Sequence, residues 1–550
     1  MLNPDRRRRL PKIAGTVLVL SALAAPEDPV PRTTTFRSSI PELQPLWRLV
    51  RATLGRNRVA FPGKTGRVEG FSAGSLYPQV WIRDLATILP AAKYYDSRDS
   101  LVSGLEEILS FQGPDGGLPD WVDVRRSIDK NTTETDQEAS MVLAAEQAVR
   151  IIGPEWLGKK IDGRTILDRL DSALAFVLNN RFEAGRGLIK GAHTADWGDV
   201  GLEDSDRTAV YVDADTHWTC DIYDQSMFYG AARALAGLLQ GEGRTVRAGF
   251  WMGRAEDVRS AADRLLWQED RGFYRVHIHL DSLRHGFDED EMFALGGNTE
   301  AILSGLAGET KAARIIRTAL DRQSSFRMPT IGAVLLPPYP RGTFKHPMVD
   351  DPYEYQNGGL WDWFAGKLIR AMFDRGFSAE ARAALIAIAR KNLAAGGLHE
   401  WNAPDGSGRG SSAFTGSAGS LALAAAEGYF GIRLTRNSCN LEPRLGKDGA
   451  KVFFRLPAAD VSVAYESAWD PERGRLTFRF ESSVRRPGRL RLLLPEPPGK
   501  AGLVVLLDGR AAPFEVERIR EETLLVLETD FSPHVLTVRG FNFSQRKSNP

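Results

Sequence analysis

The chain has 550 residues, too many for a single compact core, so one large domain with a smaller one, or two to three ordinary domains, is expected. With 43% hydrophobic residues, 26% charged residues and a net charge of +1, it has the makeup of a water-soluble globular protein. It lacks the basic excess that would drive binding to nucleic acid or an acidic membrane.

Residues 1–25 read as a signal peptide. The arginines at 6–9 and Lys12 make a positive start, and 13–25 is an uncharged, mostly apolar run too short to span a bilayer. Ala22-Leu23-Ala24 offers a small-residue cleavage site before the helix-breaking Pro26 and Pro29. The consecutive arginines followed by Leu10 also resemble a twin-arginine signal. Periplasmic or secreted location is expected, with an uncleaved N-terminus of a cytoplasmic protein as the alternative; no other run is long enough to cross a membrane.

Between 36 and 435 the pattern is helical. Apolar residues recur at three- and four-residue spacing, predicting helices over 42–54, 82–95, 101–112, 137–152, 166–179, 223–239, 255–267, 298–306, 311–321, 359–373, 379–394 and 416–429. The links alternate between short and long, and the long ones, 113–120, 191–221 and 396–412, are rich in Gly, Asp, Trp and Pro. Loops as long as the last two are usually functional. Six helical hairpins closed in a ring, an (α/α)6 toroid, is the fold expected; no fixed-period repeat favours an open solenoid. From 440 to 541 the period shortens, with strands expected at 452–456, 461–465, 476–480, 490–494, 502–507, 514–516 and 523–528: a smaller, sandwich-like all-β domain. The two cysteines, Cys220 and Cys439, are too few and too far apart for a zinc framework; two buried free thiols are expected, with a single disulfide as the alternative.

Four segments gather acidic and aromatic residues at helix ends or in Gly-rich loops. Trp81-Ile82-Arg83-Asp84 precedes an apolar helix; Asp84 is either its cap or, with Arg83, a holder of sugar hydroxyls. Asp196-Trp197-Gly198-Asp199 sits in the longest loop, where an indole beside a carboxyl can desolvate it and raise its pKa, as a general acid requires; a turn cluster is the alternative. Tyr353 to Trp363 opens a helix with an aromatic and amide cluster, in which Gln356 and Asn357 suit hydroxyl recognition and Trp361 a stacking platform. Gly396 to Asn402 carries Glu400 beside Trp401, the best candidate for a carboxylate that activates water, with Asp405 in reserve. Asp136 begins another helix as a binding residue or a cap. His277 and His279 alternate in a strand-like stretch, and no HExxH, Gly-x-Ser-x-Gly or Walker pattern points to metal, serine or nucleotide chemistry, so no cofactor is expected.

The order of these segments resembles the six-hairpin glycosidase superfamily, nearest to its glycogen-debranching-type and glucoamylase-like glucosidases. The matching residues are Trp81-Ile82-Arg83-Asp84, Trp197-Gly198-Asp199, the helix start at 222–229, Asn357-Gly358-Gly359-Leu360-Trp361 and Glu400 before the last helix. The resemblance implies an inverting glycoside hydrolase acting on an oligosaccharide or polysaccharide, an α-glucoside by preference. Asp199 would be the acid and Glu400 the base, with Asp84, Arg83, Asn357 and Trp361 lining the subsite of the cleaved sugar. Departures are Asp362 where Pro is common, Asp196 as a rival acid, and a β domain that follows the helices. A lyase, phosphorylase or epimerase on the same fold, and a non-catalytic carbohydrate-binding protein, are the competing readings.

Overall fold

The computed structural model describes residues 33–541 apart from 126, 130–131, 134, 203–209 and 500–501, so the signal-like residues 1–25 lie outside the described part. Each predicted helical segment forms a helix: α1 (Leu43–Arg56), α2 (Ile82–Ala92), α3 (Arg98–Ser110), α4 (Gln137–Ile152), α5 (Ile166–Arg181), α6 (Ile222–Gly241), α7 (Thr245–Leu265), α8 (Leu295–Ser304), α9 (Glu309–Ser325), α10 (Asp362–Asp374), α11 (Ser378–Ala395) and α12 (Thr415–Ala422), which continues as a π-turn over Leu423–Tyr429. The start of α7 lies at Thr245 rather than near 255 because Val246, Phe250 and Met252 face solvent and blur the apolar period.

The even-numbered helices pack on one another in sequence, α2 on α4, α4 on α6, α6 on α8, α8 on α10, α10 on α12, and α12 closes the cycle on α2. Odd-numbered helices lie outside, α3, α5, α7, α9 and α11 each against its even predecessor and α1 against α12. Burial follows this split. The inner helix α2 is buried from Ile82 to Ala92 except Ala86, the mark of a helix surrounded on all sides. The outer helix α9 buries only Ala312, Ile315, Ile316 and Ala319, a single stripe at i, i+3, i+4 and i+7.

Two sheets follow α12. One has seven strands in the order Thr35–Ser38, Ala450–Leu456, Val461–Asp470, Arg475–Ser482, His534–Arg539, Val504–Leu507, Arg510–Ala511. Its edge strand comes from the start of the described chain: Thr35 pairs with Phe453 and Ser38 with Ala450. The other has five strands, ordered Ile432–Leu434, Cys439–Leu441, Gly488–Leu493, Glu522–Thr529, Glu515–Ile519. Strands alternate as half-buried strands should: Leu476, Phe478, Phe480 and Ser482 point inward. Cys220 and Cys439 are both buried free thiols. Among the described residues no helix is long and apolar enough to cross a membrane.

Candidate active site

The loops that precede the inner helices converge. Arg83 and Asp84 occupy the first turn of α2, Asp136 the residue before α4, Trp361 the residue before α10, and Glu400 the loop before α12. Thirteen residues line one cavity, among them Trp81, Arg83, Asp84, Trp197, Asp199, Gln356, Trp361 and Glu400. Tyr77, Tyr355, Trp363 and Phe414 complete most of its wall. Sequence reasoning assigned none of these last four to the site. The signal for Tyr355 and Trp363 was their place inside the third aromatic segment; Tyr77 and Phe414 merely flank the first and fourth.

Asp199 is held by a loop with little freedom. Its neighbour Asp196 adopts φ 58° and accepts hydrogen bonds from the Gly296 N–H at 2.6 Å and the Gly297 N–H at 2.9 Å, in the first turn of α8. Glycine is required at 296, since a Cβ there would lie 2.3 Å from the Trp197 ring and 2.6 Å from the Asp196 carboxylate. The Asp199 N–H donates to Gln356 Oε1 at 3.2 Å. Trp197 stands edge-on to Trp361 at 4.7 Å and lies 4.7 Å from Phe364, so the indole beside Asp199 is fixed by packing.

Glu400 is held from the other side. Tyr77 donates its hydroxyl to both carboxylate oxygens at 3.0 and 3.2 Å, and the Ser411 N–H donates to Oε2 at 2.9 Å. Gly410, at φ 64°, passes so close that a Cβ would sit 2.3 Å from Oε2. Arg83 donates from Nε and Nη2 to the two oxygens of Asp136 at 2.8 and 2.9 Å, a bidentate buried pair. Asp136 also accepts from the Tyr223 hydroxyl at 2.8 Å and makes no side-chain cap.

The electrostatics separate these carboxyls. Burial pushes Asp84 up to about 7 against the neighbouring Arg83 charge. Burial also raises Asp199, with Arg83 opposing. Burial raises Glu400 too, but the Ser411 N–H and the Tyr77 hydroxyl stabilise its ionised form. Asp136, equally buried, is held below the usual carboxylate range by Arg83. Burial thus raises Asp84, Asp199 and Glu400 alike, while Glu400 accepts from Tyr77 and Ser411 donors that favour its ionised form.

The structure brings together only part of the predicted set. Asp196 does not line the cavity; both its oxygens are spent on α8. Asn357 is fully buried and used by backbone, its amide donating to Tyr339 O and Val349 O and accepting from the Tyr339 N–H. A side-chain amide in a Gly-rich loop reads alike whether it serves the chain or a ligand. Trp401 is half-buried beside Gly359, and Asp405 lies on an exposed turn where it accepts from the Ser407 N–H; neither lines the cavity. Among the described residues no histidine or cysteine lines it either, and those that could ligate a metal, His193, His279, His285 and Glu289, are not among its walls. A larger cavity, about 520 Å³, runs down the inner helices from Arg83 and Tyr223 toward Glu427 and Arg433.

What marks the smaller cavity is its unpaired polar atoms. Among the described residues, Trp81 Nε1, Trp197 Nε1, Trp363 Nε1 and Gln356 Nε2 are buried donors without a partner, and Asp84 Oδ1 and Asp199 Oδ1 are buried acceptors without one. Buried polar groups left unsatisfied are costly and are concentrated where a ligand completes them.

No family model and no curated protein matches the chain. Solved structures are similar to it in fold. A GH78 family rhamnosidase of Bacillus sp. GL1 superposes with TM-score 0.60 at 17% identity, over 85% of this chain and 43% of that one. An α-L-rhamnosidase from Dictyoglumus thermophilum gives 0.61 at 13% identity, over 92% and 50%. A GH63 mannosylglycerate hydrolase from Thermus thermophilus gives 0.51 at 17% identity, over 70% of this chain and 100% of that one. The chain thus spans about half the length of either rhamnosidase. These neighbours have the six-hairpin glycosidase fold, and at such identities the likeness speaks for fold alone.

Proposed function

We propose that this chain is an inverting glycoside hydrolase whose closed cycle of inner and outer helices is an (α/α)6 toroid carrying the active site at the N-terminal ends of its inner helices. In this reading the helical cycle is the catalytic domain, the two sheets, which include the strands Thr35–Ser38 and Ile432–Leu434 at the bounds expected for that domain, are the sandwich-like domain, and 1–25 is a signal peptide that directs export. The observation that carries it is the buried cavity whose walls combine two carboxyl groups, Asp199 and Glu400, with unpaired indole, amide and carboxylate atoms suited to a polyhydroxylated ring.

Asp199, protonated, donates to the leaving glycosidic oxygen. Glu400, ionised and oriented by Tyr77 and the Ser411 N–H, draws a proton from water attacking the opposite face of the sugar. Asp84 and Gln356 take hydroxyls of the cleaved sugar, and Trp81, Trp361 and Trp363 wall its apolar face. Arg83, neutralised by Asp136, shapes the floor. The similar structures include a rhamnosidase and a hydrolase of mannosylglycerate, one form of which was solved with glucose, so the fold accepts several sugars. An α-linked glucoside is the first substrate to try. A lyase or epimerase reading, which would use a Tyr or His as base, is weaker because no described histidine lines the cavity and the Tyr77 hydroxyl in its wall donates to Glu400, and a phosphorylase reading because the arginine in its wall is already paired with Asp136.

The test is a panel of α- and β-linked glucosides, rhamnosides and mannosides followed by proton NMR. Release of sugar in the inverted anomer supports the proposal; release in the retained anomer overturns the Asp199–Glu400 assignment as acid and base, and no release from any member overturns the hydrolase reading for these sugars.

A further inference from the structure

Three imidazoles and one carboxylate converge away from the cavity. His193 follows the short strand Gly191–Ala192, His279 ends the strand His277–His279, His285 lies in the next loop, and Glu289 starts the 3-10 turn Glu289–Glu291. One ligand atom from each of the four lies within 4.8 Å of all the others. The Nε2 atoms of His193 and His285 are 3.2 Å apart; Glu289 Oε1 is 3.3 Å from the first and 3.6 Å from the second. His279 Nε2 is 2.8 Å from Glu289 Oε2. His193 is fully buried, and the side chains of His279, His285 and Glu289 are 14%, 10% and 12% exposed.

Hydrogen bonding alone accounts poorly for this cluster. Glu289 Oε1 has four polar neighbours, the Tyr339 hydroxyl at 2.6 Å, His277 Nδ1 at 3.1 Å, and the two Nε2 atoms. One carboxylate oxygen offers about two lone pairs. The facing Nε2 atoms of His193 and His285 can share only one proton in that contact. A cation at the centre would replace the two Nε2 contacts on Oε1 by one bond and let the facing Nε2 atoms of His193 and His285 both present lone pairs. Tetrahedral coordination with bonds of about 2.0–2.1 Å places ligand atoms about 3.3–3.4 Å apart, close to the separations seen between His193, His285 and Glu289.

We propose that His193, His279, His285 and Glu289 form a binding site for a divalent transition-metal ion of the zinc type. All four positions are filled by protein, the pattern of a structural rather than a catalytic site. Tyr339 and His277 hydrogen-bond the ligating carboxylate and fix its orientation. His285 also lines a surface cavity with Phe287 and Pro340, which gives the ion its way in. The ligands come from separated segments, His193 far from the other three, so no contiguous metal motif exists in the sequence.

The placement assigns the ion a bracing role. His193 lies three residues before Asp196, and Glu289 leads into α8, whose Gly296 and Gly297 amides hold that same Asp196. The metal ties both ends of the support on which the Asp199 loop rests.

The test is metal analysis of the full chain, purified, loaded with ZnCl2 and dialysed, beside His279→Gln and His285→Asn. Wild type is expected to retain about one zinc per chain and the variants less than about a tenth of that. Chelation should lower the wild-type Tm and ZnCl2 restore it, with no response in the variants. Cobalt loading should give wild type the intense visible bands of tetrahedral Co²⁺, which keeps the proposal testable should a variant fail to fold. A wild-type chain that retains no stoichiometric metal and melts at the same temperature with chelator and with zinc would overturn it.

Discussion

The two ends of the inner helices treat charge in opposite ways. Toward their C-terminal ends opposite charges meet: Lys93 meets Glu427 at 2.5 Å, Arg433 reaches Glu427 at 3.3 Å and Asp374 at 2.9 Å, and Arg370 pairs with Asp374. Burial works against the Glu427 carboxylate, yet Lys93, Arg433 and Arg370 hold it down to about 2. At the N-terminal ends the guanidinium of Arg83 is taken by Asp136, and Asp84, Asp199 and Glu400 are buried with too few partners, so all three are raised. Breaking a matched buried pair is costly, whereas unmatched buried carboxyls cost stability when ionised and are the groups the proposed hydrolysis would use.

Four changes sharpen or break that contrast. The largest effect is expected from Glu427→Gln, which leaves Lys93, Arg370 and Arg433 short of an anion and costs about 3–5 kcal/mol in urea unfolding. A carboxyl with a depressed folded pKa contributes stability above its ordinary value that is lost as pH falls toward about 2, so the acid side of the wild-type stability profile should flatten in this variant. Asp84→Asn works the other way. Its folded pKa is raised to about 7, so the wild type binds the extra proton when folded and loses stability as pH rises from the ordinary carboxylate range through 7. The variant should gain about 2–4 kcal/mol at pH 8, gain nothing at pH 3, and lose activity at both. Equal stability at pH 8 would place Asp84 among the matched charges.

Tyr77→Phe removes a donor from the ionised Glu400 and should lower kcat by about 10–100-fold. Because the hydroxyl favours the charged form, its loss raises the Glu400 pKa and shifts the acidic limb of the pH–rate profile to higher pH. Asp405→Ala, on an exposed turn, should leave both Tm and kcat/KM unaltered. A large loss there would show that the loop around Glu400 contributes a second carboxylate.

Much of this contrast was legible in the sequence where local pattern decides. Helix α4 begins and ends where its apolar spacing does, and Asp84, Asp199 and Glu400 stood out because each lies within three residues of a Trp, at a helix start or in a Gly-rich loop. What escaped depends on distant partners. Nothing local pairs Thr35 with Phe453 or sets Tyr77 on Glu400. Asn357 looked like a sugar contact and serves Tyr339 and Val349, while Asp136 read as a sugar contact or a cap, does not line the cavity and serves Arg83. Asp196 and Asp199 flank the same Trp-Gly pair; only the position of α8 decides which of them faces the cavity.

The most direct test of the two-carboxylate site is single-turnover hydrolysis of a cleaved glycoside by Asp199→Asn and Glu400→Gln, with calorimetric binding of the product sugar to each. Both variants should bind the product within a few-fold of wild type and lose about 10²–10⁴ in the chemical step. Turnover within about tenfold of wild type in either variant would contradict the account, because general acid–base catalysis by that residue is worth more than this.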